Sequence, residues 1–73
     1  MSNEQEILLH KKADAYLVLG NAVHVKFKQG HWKRGIIKEV REDFFIIDER
    51  LEGQMPIFFQ EIISIEKFNE VRE

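Results

Sequence analysis

Apolar and polar residues alternate strictly from Ala22 to Lys28. Val23, Val25 and Phe27 fall on one side, and His24, Lys26 and Lys28 on the other. That period of two is the signature of a half-buried strand. Gln29-Gly30 makes the turn, with Gly30 able to take a positive φ. The next strand runs from about Trp32 to Arg41 and is interrupted by Gly35. A glycine inside a strand marks a bulge, a bend or a close approach of another backbone. Beyond it Ile37 and Val40 change the phase of the alternation, as a bend requires. Phe44-Phe45-Ile46-Ile47 is apolar on both faces, so one face is core and the other meets a helix or a neighbouring subunit. Asp48 to Gly53 reads as a polar turn. Gln54 to Phe59 is a fourth strand containing Pro56, which suits a strand start, an edge or a bulge because proline donates no hydrogen bond. Gln60-Glu61 is a brief turn. Ile62 to Lys67 is a fifth strand, with Ile63 and Ile65 opposing Ser64 and Glu66.

Upstream, residues 2–19 read as a helix. Ser2 and Gln5 fit a capping box, and Glu4 and Glu6 suit the positive end of the helix dipole. Leu9, Ala13, Tyr16 and Leu17 form one stripe, which Ile7, Leu8, Val18 and Leu19 widen. Lys11, Lys12 and Asp14 face water. Gly20-Asn21 is a stop signal. The bland reading is a helix covering one end of a small barrel. The fold class expected is therefore mainly β with an N-terminal helix: a five-stranded, strongly bent antiparallel barrel. One domain spans residues 1–73, with the helix at 2–19, the barrel at 22–67 and a charged tail at 68–73.

Composition narrows the function. With 73 residues and no cysteine, disulfides and thiolate metal sites are excluded, and small domains of this kind lean on self-association. An apolar share of 44% with six phenylalanines and one tryptophan favours a dense core or one extended by a second copy. No apolar run reaches the ~18 residues of a membrane span. No basic-then-apolar N-terminal leader is present, so an intracellular, cytoplasmic protein is expected. His10, His24 and His31 share no ligand spacing. No nucleophile is placed by a motif. The expectation is no catalysis, no metal, no cofactor and no small-molecule substrate.

Net charge is only −2, yet it is unevenly spread. Residues 22–41 hold six Lys/Arg and one acid, a net of +5, whereas residues 42–73 hold three Lys/Arg and nine acids, a net of −6. Such polarity suits a basic binding surface, and equally the head-to-tail packing of identical subunits.

The segment Phe27-Lys28-Gln29-Gly30, then four residues, then Gly35, with Ile37 and Val40 following, resembles the first motif of the Sm/LSm family, including its bacterial Hfq branch. The helix, the strand count and the apolar run at Phe44 match the family order across nearly the whole chain. Gln54-Met55 and Ile63-Ser64 echo the Hfq ending, one residue out of step. The resemblance implies an Sm-like barrel that forms a homo-oligomeric ring and binds single-stranded RNA. It also implies that the fourth strand pairs with a neighbour's fifth, placing Pro56, Ile57, Phe58, Phe59, Ile63 and Ile65 at the subunit interface. Three features depart from the family. Arg41 and Phe45 stand where Asp and Asn build a uridine pocket. Phe58-Phe59 stands where Arg-Gly approaches a base, and the Lys-His pair of the Hfq branch is missing. Altered or low base preference follows.

The candidate RNA contacts are Lys28, His31, Trp32, Lys33, Arg34, Arg41 and Phe44. Clustered Lys/Arg bind phosphates, and aromatic rings between them stack bases. Lys33, Arg34 and Arg41 would take phosphates; Phe44 and Trp32 would stack. The basic hairpin has a plainer reading as a solvated strand face that protects an edge. In the loop after the second strand, Glu42 and Asp43 repel phosphate and favour a structural or metal-tuned role. Of Phe58 and Phe59, one is core and the other points outward, because neighbours in a strand face opposite sides. Two further functions stay open: a protein-interaction or structural module without nucleic acid, and a DNA-contacting accessory protein on a similar small barrel.

Overall fold

The computed structural model describes residues 4–68. Ser2 of the expected capping box and the tail after Phe68 lie outside them. The chain runs as α1 (Glu4–Leu19), β1 (Ala22–Phe27), β2 (Trp32–Val40), β3 (Phe44–Glu49), β4 (Gly53–Phe58), a single 3₁₀ turn (Phe59–Glu61) and β5 (Ile62–Lys67). The expected helix and five strands are all present, within a residue or two of their expected bounds. Among the described residues, no helix is long and apolar enough to cross a membrane.

Helix α1 stops at Gly20, whose φ of 75° is the left-handed value that glycine tolerates. Its N–H donates to the Tyr16 carbonyl at 2.8 Å. The buried face is narrower than the sequence implies. Leu9 and Ala13 are buried, and Tyr16 and Leu17 pack partly against the core. Ile7, Leu8, Val18 and Leu19 are exposed, Val18 to 84%. The helix lies on β2, β5 and the 3₁₀ turn. So short a helix on so small a sheet has a seam only one residue wide.

The strands form one antiparallel sheet in the order β4-β3-β2-β1-β5. β4 and β5 each bond to a single neighbour. The expected helix and five-stranded antiparallel sheet are present, but the sheet is open and a barrel only loosely: the two end strands do not join. They are linked by one 3₁₀ turn, yet β4 hydrogen-bonds to β3 and β5 to β1. Pro56 lies on the β4 edge, where a missing N–H removes no bond from the ladder. The core lies on one face and consists mainly of Val23, Val25, Phe27, Ile37, Phe45, Ile47, Ile57, Phe59, Ile62 and Ile65, capped by Leu9 and Ala13. Among the described residues no polar side chain is buried. Every group able to meet a partner chemically is therefore at the surface.

Two register shifts decide which side chains reach the core. Between Ile37 and Glu39, β2 carries an extra residue against β3, namely Lys38. Between Ile62 and Ser64, β5 carries Ile63 as the extra residue opposite Lys26 and Phe27. Such bulges reverse the in/out sequence of a strand. Ile62 and Ile65 are consequently buried, and Ile63 is 42% exposed. The expected pairing of Ile63 with Ile65 on one face is thereby corrected. Of the expected interface residues, Ile57, Phe59 and Ile65 are core, exposed by 3% or less. Their side chains are spent within this chain. Pro56, Phe58 and Ile63 remain outside. The rule of one phenylalanine in and one out holds, with Phe59 in and Phe58 out.

The second face of β3 is not covered by α1. Phe44 and Ile46 stay half-buried there, opposite Phe58 and Pro56 of β4. Gly35 is not the bulge itself. It pairs with Val23 and Glu49 in regular ladder. A Cβ there would lie 2.5 Å from the Asp48 carbonyl oxygen and 2.9 Å from Ile47 Cγ1. The glycine is needed because β3 backbone comes too close for any side chain. Gly35→Ala is expected to destabilise the fold by about 1–3 kcal/mol, the range for overpacking. A thermal or urea melt checks it, and an unchanged midpoint would remove the close approach as a constraint.

Candidate nucleic-acid interface

The outer face of β1 and β2 is set by their register. His24 lies opposite Arg34, and Lys26 opposite Trp32. Since Val23, Val25 and Phe27 turn inward, these four point outward together. The Trp32 ring is 46% exposed. It lies against His24 with centroids 4.0 Å apart and the rings tilted by 32°, and the Lys26 ammonium lies 5.4 Å from its centre. The Arg34 guanidinium lies 4.6 Å over the Phe68 ring, which also meets His24 edge-on at 5.9 Å. The result is an aromatic plate with a cation at each side. Cations over aromatic faces hold such arrangements together by about 0.5–1 kcal/mol each at exposed sites.

The other sequence candidates are dispersed. Lys33 is the neighbour of Trp32 and Arg34 but shares a face with Val25. Its ammonium meets Glu52 at 3.4 Å. Lys28 and His31 stand at the hairpin tip. There the Phe27 N–H donates to the His31 carbonyl, and the Gly30 N–H to the Phe27 carbonyl, both at 2.9 Å. His31 stacks on Phe27 at 4.3 Å, nearly parallel. The tip faces Gln60 and Glu61 across a shallow depression.

Arg41 and Phe44 belong to a third place. The loop is pinned by the Arg41 N–H to the Phe44 carbonyl at 2.7 Å, and by the Phe59 N–H to the Asp43 carbonyl at 3.1 Å. Arg41 is paired with Glu39. The depression beside it is lined by Glu39, Glu42 and Asp43 together with Arg41, Phe44 and Ile46. Three carboxylates to one guanidinium make it a poor phosphate site. The Phe44 ring packs on Phe58 at 5.3 Å.

The sequence counts His24 and Lys26 in the basic hairpin without singling them out as contacts, and Phe68 is not among its candidates. Strict alternation already placed His24 and Lys26 on one face. What was missing was the register across the hairpin, which pairs them with Arg34 and Trp32. It also missed Glu49 at the β3–β4 turn. One carboxylate oxygen of Glu49 accepts the N–H groups of Leu51 at 2.9 Å and Glu52 at 2.7 Å. The Glu52 amide is the largest cause holding this carboxyl below its usual range. Desolvation opposes it, and the Leu51 amide, Lys33 and Arg34 add to it. The turn thereby sets acidic groups next to the basic hairpin.

A helix followed by five antiparallel strands in this order is the architecture of Sm-like proteins, and the chain has an Sm/Hfq-like fold. Among solved structures it is similar to a crystal structure of the pleiotropic translational regulator Hfq. The two share a TM-score of 0.72 at 19% identity, over 81% of this chain and 97% of that one. No family model and no curated protein matches the chain.

The Glu49 contacts carry a pH dependence. A carboxyl lowered in the folded state contributes stability that is complete above its unfolded pKa and is lost as pH falls through the folded one. Thermal melts from neutral pH down through the carboxylate range are expected to show a smaller fall for Glu49→Gln than for the parent protein. Equal falls would show that the turn amides do not favour the ionised form.

Proposed function

We propose that the protein binds single-stranded RNA on the aromatic-basic plate of β1–β2, with low base preference, as a homo-oligomeric ring. The observation that carries this reading is the half-exposed Trp32 ring with Lys26 beside it and Arg34 at the next outward position. Single-strand binders combine a cationic track with aromatic platforms, and any base offers a face to stack. The replacement of the family's uridine-pocket residues by Arg41 and Phe45 fits low preference. It also moves the expected contacts from the Arg41 loop to the plate. This reading involves no catalytic step, and an intracellular location accompanies it.

Ring assembly is supported by the open sheet. β4 and β5 are its two ends, and each offers one unused row of backbone groups. Phe58 and Ile63, 37% and 42% exposed, sit at those ends. The two ends of one sheet are different surfaces, so joining them is a head-to-tail contact that generates a ring if the rotation closes. The Phe44, Ile46, Pro56 and Phe58 face favours a second reading, an interaction module that uses protein partners alone.

Fluorescence anisotropy with a labelled unstructured RNA separates the two readings. Binding is expected, with an affinity that falls with salt. Replacing Lys26 and Arg34 together by Gln should lower the logarithmic salt slope by about 1.4, at ~0.7 per phosphate contact on a single strand. Lys33→Gln should lower it less than either plate cation does, because Lys33 is engaged with Glu52 at 3.4 Å. Trp32→Ala should cost about 1–3 kcal/mol of affinity, the worth of one stacked base. No binding, or an unchanged slope in the double variant, would leave the interaction module as the better reading.

Light scattering tests assembly. The mass is expected to be a multiple of the 8.7 kDa chain, and Phe58→Lys with Ile63→Lys should reduce it toward one chain. A parent protein of 8.7 kDa in solution would end the ring reading.

A further inference from the structure

His24 is the one member of the plate that the RNA reading leaves without a task. Histidine is the side chain whose charge changes between pH 5 and 8. Its surroundings make that charge consequential. On its own strand it is flanked by Lys26, and on β2 it faces Trp32 and Arg34. On β5 its register partner is Glu66, and Phe68 meets it edge-on. Across β2, Lys33 and Glu49 line the same shallow depression. Both acids are already engaged. The Glu66 carboxylate takes the Lys12 ammonium of α1 at 3.1 Å. The Glu49 carboxylate is held by the two turn amides. Among the described residues no carboxylate lies within ion-pair distance of His24.

We propose that His24 makes RNA binding at this plate proton-dependent: its protonated ring is a third cation, between Lys26 and Arg34, whose counter-charge is a phosphate of the bound strand. The inference rests on the RNA-binding reading and specifies how that site is regulated. A proton on His24 turns the Trp32 contact at 4.0 Å into a cation–aromatic one. It also gathers three positive groups on a face whose two acids are occupied elsewhere. Without a polyanion the extra charge is repelled by Lys26 and Arg34; with one it is compensated. Linkage makes the effect reciprocal. If the proton strengthens RNA binding, RNA binding draws the proton on.

Trp32 is the only tryptophan in the chain, and a protonated imidazole quenches an indole in contact with it. Tryptophan fluorescence therefore reads the charge of His24 directly, with or without RNA. The fluorescence of the full chain is expected to fall between about pH 8 and about pH 5.5, and to fall at higher pH when an oligouridine is present. His24→Gln and His24→Phe should abolish the fall; the second keeps a ring against Trp32 but carries no proton. His10→Gln, remote from the plate on α1, should behave as the parent. Oligouridine affinity at about 0.1 M salt should rise about fivefold over the same interval, the effect of one further phosphate contact. Uracil does not titrate there, so the rise is not the ligand's. The rise should be absent from both His24 variants. Parent affinity equal at both ends of the interval, or a rise retained in His24→Phe, would overturn this inference and leave RNA binding standing. No oligouridine binding at any pH would remove the RNA reading and this inference with it.

Discussion

A strand shows alternate residues to opposite faces, and one extra residue exchanges the faces for everything that follows. This chain depends on two such exchanges, at Lys38 in β2 and Ile63 in β5. Without the first, β2 would turn Glu39 rather than Val40 toward the Phe45 side. Without the second, β5 could not bury both Ile62 and Ile65 while presenting Ser64 and Glu66 outside. Shifting a register by one residue moves a whole apolar set into water. The bulges are therefore part of what the core requires. The β5 bulge sets Glu66 opposite His24, next to the plate. Gly35 completes the constraint by letting β3 approach β2 where no Cβ fits.

The sequence discloses the elements well and the faces unevenly. Val23, Val25 and Phe27 are buried as their alternation requires, because β1 is central and carries no extra residue of its own. Phe45 and Ile47 are likewise legible from the run that contains them. Ile63 is not. An isoleucine between two others reads as core, and only the pairing with Lys26 and Phe27 shows that it is the residue squeezed out. Nor does the wide apolar stripe of α1 survive. Leu8 and Val18 have the right chemistry, but the small sheet takes up Leu9, Ala13, Tyr16 and Leu17 and leaves those two exposed. For the candidate site, residue types were readable and neighbourhoods were not. Lys33 and Arg34 are adjacent in sequence and therefore on opposite faces, whereas Lys26 and Arg34 are eight positions apart and share one.

The same geometry changes the meaning of the charge. A net of +5 over residues 22–41 overstates what one surface offers. Lys33 is engaged by Glu52 and Arg41 by Glu39, while Lys28 stands at the tip beside Glu61. Exposed ion pairs contribute little to stability. They do remove cations from the pool available to a polyanion. Around Trp32 on the outer face of β1–β2, what remains is a pair of cations, Lys26 and Arg34.

A plate of that size ties the proposed RNA binding to the proposed assembly. One plate with a few phosphate contacts would bind an RNA strand weakly, since affinity grows with the number of phosphates neutralised. Repeating the plate around a closed set of copies changes the arithmetic. Once one copy holds the strand, the next binds it at an effective concentration set by their separation, which raises overall affinity without any new kind of contact. The open edges at β4 and β5 and the outward plate on β1–β2 are then two halves of one design. In the proposed ring the edges would join copies through backbone groups and the exposed Phe58 and Ile63. Most of the plate lies on the central strands β1 and β2, with Phe68 directly after β5 as its one member beside a joint.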